Sequence, residues 1–286
     1  MEKIVLKSVD EIYNNYGSFI EGKKKGTFEL PVEVASITSW YRDPSPYSII
    51  TGIPRKDMES VIYYSSWIVT DPGDTQFLKN SVISDPEFRQ AVETYGEGSF
   101  SAEQGAPAIG KVIKSLDIDC ILASLRSKET EYMMSIERLK QARHEASLTG
   151  SEKRMLKKYR KELETLRVSI DAAFYLRENP DAFLIKKVTL FPLRIRAVLE
   201  DMSCSMTYGI YHDIEDLYER VFIRAKRLEK LIDINAPEII LRNEKRILQE
   251  NVDDLFANGL RGEPVVKGGG IPLISLADVF TRSIAG

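Results

Sequence analysis

The sequence predicts a mostly helical α+β fold with two projecting antiparallel helical hairpins. Two long segments, 117–178 and 213–262, repeat apolar residues at helical spacing and are interrupted by residues typical of turns. Shorter runs rich in β-branched and aromatic residues, chiefly 29–41 and 61–70, are typical of strands. The expected division is an N-terminal segment (1–28), a mixed α/β base (29–116), a first hairpin (117–178), a strand-containing return (179–212), a coiled-coil hairpin (213–262) and a flexible tail (263–286).

Composition excludes several classes of protein. The chain has 286 residues, of which 43% are hydrophobic and 29% charged, and its net charge is −3. This is enough apolar content for a core, without the overall positive charge of a typical nucleic-acid-binding protein. Two cysteines, Cys120 and Cys204, are too few for a disulfide framework or a four-cysteine zinc site. Without a long apolar run or signal peptide, the sequence predicts a cytoplasmic protein that does not enter membranes.

Local signals place short elements in the first 116 residues. Ser84 followed by Glu87 is typical of a helix start, and Asp43-Pro44-Ser45-Pro46 is typical of a turn. The elements expected are a strand (3–6), a helix (8–19), a strand (29–41), helices at 47–51 and 55–60, a strand (61–70), and helices at 84–95 and 106–116.

The first hairpin is predicted from two amphipathic arms. Gly150 interrupts the pattern, and we expect Ser151 to cap the return arm, with Arg154 where a capping box has an acidic residue. Lys and Arg are concentrated in the stretch 153–161. This is typical of a solvated helix face, and contact with a nucleic-acid backbone is the alternative. A strand is then expected at 184–190, before Pro192.

The second hairpin follows from a heptad pattern. Asp213 is expected to be the N-cap of the first helix, and Pro237 suits the first turn of the second. Asn258-Gly259 is a typical helix end. The seam residues are Ile214, Leu217, Val221, Leu228 and Leu231 in the first helix, and Leu241, Leu248 and Leu255 in the second.

Three polar residues interrupt this seam. Arg224 stands where a hydrophobic residue is expected, and Glu244 and Asn251 do so on the second helix. One interpretation is that Arg224 and Glu244 form an ion pair that fixes the register of the hairpin. The other is that they face outward and hold a partner helix.

Several segments resemble one family. The run NAPEIILRNEKRILQENVDDLFANGLRG (235–262) looks very like the clamp helices of the largest (β′) subunit of bacterial RNA polymerase, and DLYERVFIRAKRLEKLI (216–232) resembles the first of those helices. The stretches VIYYSSWIVTDPGDT (61–75) and PLISLADVF (272–280) resemble segments that flank them. The likeness extends from about residue 29 to 280 and implies a β′ clamp-like module.

The resemblance implies a function and its residues. In that family the clamp helices dock the σ factor, so the 213–262 hairpin is expected to bind σ and to help hold promoter DNA during transcription. The partners implied are the σ factor, the β subunit, the rest of β′ and promoter DNA. The σ-binding positions implied are Tyr218, Arg224, Arg227, Leu231, Arg242, Glu244, Arg246, Gln249 and Asn251, the last in place of the family's usual alanine. Contact with the DNA backbone is expected from Arg220, Lys226 and Lys245, with Arg227, Arg242 and Arg246 as further cations.

Two modules of that family are missing from the sequence. No cysteine-rich zinc ribbon precedes Glu29, and no triple-aspartate motif for catalytic magnesium is present. We therefore expect no cofactor and no catalytic residue in this chain, which would be enzymatic only within a nucleotidyltransferase assembly. The pair Asp253-Asp254 is expected to be solvated.

Two alternative functions remain open from the sequence. A free-standing clamp mimic would sequester a σ factor and regulate transcription without catalysis. An unrelated coiled-coil scaffold would bind no σ factor and would self-associate through its hairpins.

Overall fold

The computed structural model describes residues 27–41, 45–142, 148–189 and 205–279. Short strands alternate with helices in its first part, and long helices dominate its second, so the mostly helical α+β class is confirmed. The predicted strand at 3–6 and helix at 8–19 lie outside the described residues. In the described part of the chain, no helix is both long and apolar enough to cross a membrane.

The elements are numbered here in chain order. The strands are β1 (Thr27–Ala35), β2 (Ser66–Asp71), β3 (Val82–Ser84), β4 (Ser101–Glu103), β5 (Leu184–Thr189), β6 (Val266–Lys267) and β7 (Ile271–Pro272). The helices are α1 (Ile37–Trp40), α2 (Pro46–Thr51), α3 (Arg55–Ile62), α4 (Asp85–Tyr95), α5 (Ala106–Lys114), α6 (Ile118–Ala142), α7 (Gly150–Glu178), α8 (Ser205–Asp233) and α9 (Glu238–Ala257).

A two-stranded ribbon of β1 and β5 lies between two hydrophobic cores. The strands are antiparallel, with Thr27 opposite Thr189 and Ala35 opposite Leu184. Because neighbouring side chains of a strand point to opposite faces, Ala35 and Leu184 enter one core while Val34 and Ile185 enter the other. The first core joins the ribbon to α2, α3, α5, α6 and α7, and the second joins it to α8 and α9.

The predicted strand at 29–41 is too long. β1 ends at Ala35, the backbone N–H of Ser36 donates to the carbonyl oxygen of Phe183 at 3.0 Å, and the chain turns into α1. The spacing of Ile37 and Trp40 suits one helical turn, which buries both side chains.

The strand predicted at 61–70 also begins too early. Met58, Val61 and Ile62 form one buried helical stripe, so α3 continues to Ile62 and β2 starts only at Ser66. The left-handed backbone of Tyr64, with φ of 62°, makes the turn between them.

β2 is the centre of a small sheet in the order β3–β2–β4, with α4 packed against it. The predicted start of α4 is confirmed, because Ser84 and Glu87 form a capping box. Neither β3 nor β4 was predicted, since each has three residues and is too short to show alternation. The core of this unit contains Val69, Ile83, Ala91 and Phe100.

Helices α6 and α7 pack antiparallel. Three contacts show this, because the residue numbers rise along α6 and fall along α7. The contacts are Asp119–Arg177 at 3.4 Å, Glu129–Arg167 at 2.9 Å and Tyr132–Glu162 at 2.5 Å. The predicted cap is wrong, because Thr149 rather than Ser151 is the N-cap of α7. Thr149 forms a capping box with Glu152, and Gly150 is the first helical residue.

Helices α8 and α9 form a second packed pair, hereafter the α8–α9 pair. Asp213 is not an N-cap, because α8 begins at Ser205 and Asp213 lies buried inside it. Pro237 is the N-cap of α9, and Asn258 is its C-cap, followed by Gly259 with φ of 77°.

The tail predicted as flexible is anchored to the second core, although residues 268–272 are exposed. The Asn258 side chain donates to the carbonyl oxygens of Val265 and Leu273 at 2.9 and 2.8 Å. Leu273 and Leu276 are buried in the second core. Apolar burial and one capping side chain therefore fix a segment that has the composition of a loop.

Candidate interaction surface of the α8–α9 pair

The seam between α8 and α9 is apolar over most of its length. Four predicted residues of α8, and Leu248 and Leu255 of α9, are fully or almost fully buried, whereas Leu231 and Leu241 are partly exposed. The buried residues of α8 are Ile214, Leu217, Val221 and Leu228. The pair is therefore held together by hydrophobic burial, and its outer flanks remain available for other contacts.

Glu244 is a buried acid held by two arginines. Its side chain is 4% exposed, and its oxygens lie 3.5 Å from Arg224 Nη1 and 3.1 Å from Arg227 Nε. Glu244 therefore faces inward and forms an ion pair with Arg224, as in the first of the two interpretations. The arginines are more open, with 35% of the Arg224 side chain and 58% of the Arg227 side chain exposed.

Gln249 is hydrogen-bonded to β1 and does not lie on a free surface. Its Oε1 accepts from the backbone N–H of Ala35 at 2.7 Å, and its Nε2 donates to the Ala35 carbonyl oxygen at 3.0 Å. Nε2 also donates to Asp253 Oδ1 at 2.8 Å. The side chain is 1% exposed, so direct contact of Gln249 with a partner does not fit this fold.

Arg242 ties α9 to the small sheet. Its Nη2 donates to Asp85 Oδ1 and to the carbonyl oxygen of Tyr64, both at 3.0 Å. Its guanidinium also lies over the Trp67 ring, 5.3 Å from the centroid. Arg242 is therefore engaged within the chain and has little surface left for a ligand.

Other predicted positions have local partners. Tyr218 is buried and donates to the Thr189 carbonyl oxygen at 2.9 Å, whereas Asn251 donates to the Ile247 carbonyl oxygen at 2.7 Å. Arg246 contacts Glu250 at 2.7 Å and Asn243 at 3.0 Å. These residues stabilise the pair or its connection to β5.

The predicted DNA-contact residues differ in exposure. Arg220 and Lys226 are exposed on α8, and Lys226 contacts Glu229 at 2.7 Å. Lys245 is more enclosed and lies 3.5 Å from Glu238.

Six large apolar residues of the α8–α9 pair are exposed, although the heptad pattern did not predict them. The set is Phe222, Ile223, Ile232, Ile234, Ile239 and Ile240. Ile234 and Ile239, which flank the turn between the helices, are 72% and 67% exposed. Their apolar character outside the seam was the available sequence signal, because residues off the buried face are expected to be polar.

One flank of α8 combines this apolar surface with cations. Arg220, Ile223 and Arg227 are exposed at i, i+3 and i+7, which places them on one side of the helix. We call these three residues, together with Ile234 and Ile239 at the turn, the docking flank. Ile223 lies between the two arginines on α8, and Ile234 and Ile239 lie at the turn. Exposed apolar residues rimmed by charge are typical of a protein interaction site.

The carboxylates of Asp253 and Asp254 are not solvated as predicted. Asp253 is buried and accepts from the Tyr63 hydroxyl at 2.6 Å and from Gln249. Burial raises the pKa of Asp253 well above its usual range. Burial, and then the nearby charge of Glu250, raises the pKa of Asp254 to about 6, against the opposing effect of Arg220 and Arg261.

Asp254→Asn is expected to remove part of the pH dependence of stability. A carboxyl whose pKa is raised on folding takes up protons in the folded state, so stability rises as the pH falls from 7 towards 4. Asp254 also lies in the last turn of α9, where a negative charge opposes the helix dipole. After allowance for solvent screening, we expect the variant to gain about 1 kcal/mol at pH 7 and almost nothing at pH 4.

Urea unfolding between pH 4 and 7 measures this difference. Asp216→Asn, at an exposed position of α8, is the matched control. A gain of equal size at both pH values would contradict the prediction.

Comparisons with known proteins agree with this architecture. The family described as RNA polymerase Rpb1, domain 1, matches residues 39–280. The DNA-directed RNA polymerase subunit beta' of Alkaliphilus oremlandii is 34% identical over 265 residues, covering 92% of this chain and 20% of that protein. The same subunit of Clostridium novyi is 35% identical over 263 residues, covering 92% and 20% respectively.

A third relative extends the pattern. The DNA-directed RNA polymerase subunit beta' of Symbiobacterium thermophilum is 33% identical over 262 residues, covering 91% of this chain and 20% of that protein. The chain spans about a fifth of the length of the curated relatives it matches. Because the family match covers most of the chain, the chain belongs to the RNA polymerase Rpb1 domain 1 family and corresponds to the N-terminal clamp region of the β′ subunit.

Proposed function

We propose that this chain is the clamp part of a bacterial-type DNA-directed RNA polymerase β′ subunit and that it docks a σ factor on the α8–α9 pair. In this proposal the α6–α7 and α8–α9 pairs project as helical hairpins, and the chain helps to hold promoter DNA. The polymerase supplies the nucleotidyltransferase chemistry through other parts. The observation that supports σ docking is the docking flank, where exposed Ile223 lies between exposed Arg220 and Arg227 on α8, and exposed Ile234 and Ile239 flank the turn.

The chemistry of the docking flank suits an amphipathic helix. A helix that docks on another helix uses apolar anchors at i, i+3, i+4 and i+7 for area, and charges at the rim for orientation. Ile223, Ile234 and Ile239 supply apolar surface, and Arg220 and Arg227 favour an acidic partner face. The σ segment proposed here is therefore helical, with apolar anchors and acidic flanks.

The proposal divides the predicted residues by role. The exposed parts of Arg224, Arg227 and Leu231 would contact σ, with Arg246 at the margin. Buried Tyr218, Glu244 and Gln249 would act by fixing the helices that present this surface. Lys226 and Lys245 remain the proposed contacts to the DNA backbone. Arg220 belongs to both sets, because it lies in the docking flank and is also a proposed contact to the DNA backbone.

Calorimetric titration of the full chain with the clamp-binding helical region of a σ factor tests this function. Ile223→Ala and Ile239→Ala are each expected to weaken binding about 5- to 30-fold, because each removes exposed apolar area from the proposed contact. Leu78→Ala is the matched control. Leu78 is 76% exposed and lies between β2 and β3, outside the α8–α9 pair. The control should bind like the wild type.

Two outcomes would refute σ docking on this surface. They are absence of binding by a folded wild-type chain, and equal binding by all three variants. Co-purification with a chain that carries the catalytic aspartates would distinguish a polymerase part from a mimic that sequesters σ.

A further inference from the structure

A set of three side chains braces α9 against the small sheet. Arg242 Nη2 lies 3.0 Å from Asp85 Oδ1, and the indole Nε1–H of Trp67 donates to the same oxygen at 2.9 Å. The Trp67 ring stacks on Phe88, with 3.8 Å between the ring centroids and 7° between their planes. We call Asp85, Trp67 and Arg242 the brace.

Asp85 is fixed on the side of the small sheet. It is the first residue of α4, and the capping box fixes the start of that helix. Its other oxygen, Oδ2, accepts from Arg89 Nη2 at 2.7 Å. The hydrogen bond from Trp67 holds the pKa of Asp85 below its usual range, with Arg242 and Arg89 acting in the same direction and burial opposing them. Asp85 therefore offers Arg242 a fixed negative charge at neutral pH.

The first half of α9, residues 238–247, depends on such contacts. Buried apolar residues of α9 begin at Leu248, whereas Leu241 is partly exposed and Glu244 is a buried acid. Hydrophobic burial therefore fixes the second half of the helix more firmly than the first. The first half is held by its packing on α8, by the ion pairs of Glu244 and by the brace.

The brace lies next to the docking flank. Ile239, which is 67% exposed, precedes Arg242 by three residues and lies on the same side of α9. The two residues are separated by about 4.5 Å along the helix axis, at about 1.5 Å of rise per residue. A rotation or tilt of this end of α9 that moves Arg242 therefore also moves Ile239.

The arrangement favours a positioning role over a stabilising one. Only 18% of the Arg242 side chain is exposed, and its Nε is buried without a hydrogen-bond partner among the described residues. An enclosed ion pair recovers little of the hydration that its charges lose, and a buried N–H without an acceptor is unfavourable. What such a pair does provide is one defined orientation of the two elements that it joins.

We infer that Asp85 is a positioning residue for σ docking, which acts through Arg242 to fix the direction in which α9 presents Ile239. The inference rests on the proposed docking of σ on the α8–α9 pair. It goes beyond that proposal because it assigns part of the affinity to the small sheet, outside the pair. It also gives Arg242, which the family resemblance places among the σ contacts, an indirect role.

Calorimetric titration of the full chain with the clamp-binding helical region of σ tests this role. Asp85→Ala is expected to weaken binding about 3- to 10-fold, although Asp85 lies outside the docking flank. Asp57→Ala is the matched control, because Asp57 is an exposed acid in the first turn of α3. The control should bind within about 2-fold of the wild type. Asp85→Ala should melt within about 6 °C of the wild type, so unfolding does not explain its weaker binding.

A double-mutant cycle tests whether Asp85 acts through Arg242. Arg242→Gln alone should weaken binding about as much as Asp85→Ala, since either change opens the same brace. The double variant should then bind about as well as the weaker single variant. Effects that multiply in the double variant would show that Arg242 contributes independently of Asp85, and would overturn the inference.

Hydrogen exchange separates positioning from direct contact. In unbound Asp85→Ala, the amides of residues 242–247 should exchange faster than in the wild type, while those of residues 252–256 should stay unchanged. Weaker σ binding with unchanged exchange in α9 would make Asp85 a direct contact and would overturn the positioning role.

The outcomes distinguish this inference from the proposed function. If the wild type binds σ and Ile239→Ala weakens binding, but Asp85→Ala binds like its control, the positioning role alone is refuted. Absence of binding by the folded wild type would refute σ docking, and the inference with it.

Discussion

Gln249→Ala is expected to lower the free energy of unfolding by about 3–4 kcal/mol. The wild-type amide satisfies both the N–H and the carbonyl oxygen of buried Ala35, and it donates to buried Asp253. Alanine would leave these groups without those partners in a site closed to water. A buried polar group left unsatisfied costs about 1–3 kcal/mol, and the small cavity adds to that loss.

Denaturant unfolding of the full chain measures this loss. Asn251→Ala is the matched control on the same helix, because Asn251 is partly exposed and donates only to the Ile247 carbonyl oxygen one turn back. We expect the control to change stability by less than about 0.5 kcal/mol. Equal losses in the two variants would show that Gln249 does not anchor β1.

Hydrogen exchange provides a second readout for the same variant. The Ala35 amide proton donates to Gln249 Oε1 in the wild type and should be protected from exchange. In Gln249→Ala this protection should fall more than that of amides within α9. Unchanged protection of Ala35 would contradict the assigned role.

Asp213→Ala is expected to cost about 2–3 kcal/mol and to release the segment 263–279. The buried Asp213 carboxylate accepts from Lys267 Nζ at 2.9 Å through each oxygen, and from the Ile274 N–H at 3.2 Å. Removing it leaves Lys267 without its acid and the Ile274 amide without that acceptor. An N-cap, the role predicted from sequence, would cost about 1 kcal/mol and would not affect that segment.

Limited proteolysis and denaturant unfolding together distinguish these two roles. Cleavage within 263–279 should accelerate in Asp213→Ala and not in Asp216→Ala, whose side chain is exposed on the same helix. Asp213→Asn keeps an oxygen for Ile274 but lacks the charge for Lys267, so its stability should fall between the two. Cleavage of Asp213→Ala at the wild-type rate would contradict the anchoring role.

Patterns carried by a single segment were predictable from the sequence. The apolar seam of Leu217, Val221 and Leu228 follows from heptad spacing, and Ser84 with Glu87 marks the start of α4. In both cases the deciding contacts are made by residues close along the chain, or by the helix that follows directly. The family resemblance is strongest in the same segment, 213–262, which contains the seam residues and the polar residues that interrupt them.

Contacts between distant segments were not predictable from one segment. Gln249 and Ala35 are 214 residues apart, so the spacing of polar residues in α9 cannot show that β1 lies beside it. Asp213 has the side chain of a good N-cap, and only the helical continuation back to Ser205 shows that it is internal. The sequence does hold the signal for the correct cap of α7, because Glu152 follows Thr149 at the three-residue spacing of a capping box.

The antiparallel pairing of β1 with β5 delays the folding of β1 until the chain has been synthesised as far as β5. Thr27 cannot pair with Thr189 until the ribosome has added Thr189, roughly 8–30 s later at about 5–20 residues per second. The Gln249 side chain, which binds Ala35, emerges later still. During this interval β1 is an unpaired strand near a growing chain, and Glu29, Pro31 and Glu33 are the residue types that keep such an edge from joining another strand. Replacing them with β-branched apolar residues should therefore increase aggregation of newly made chains more than it changes the stability of the folded protein.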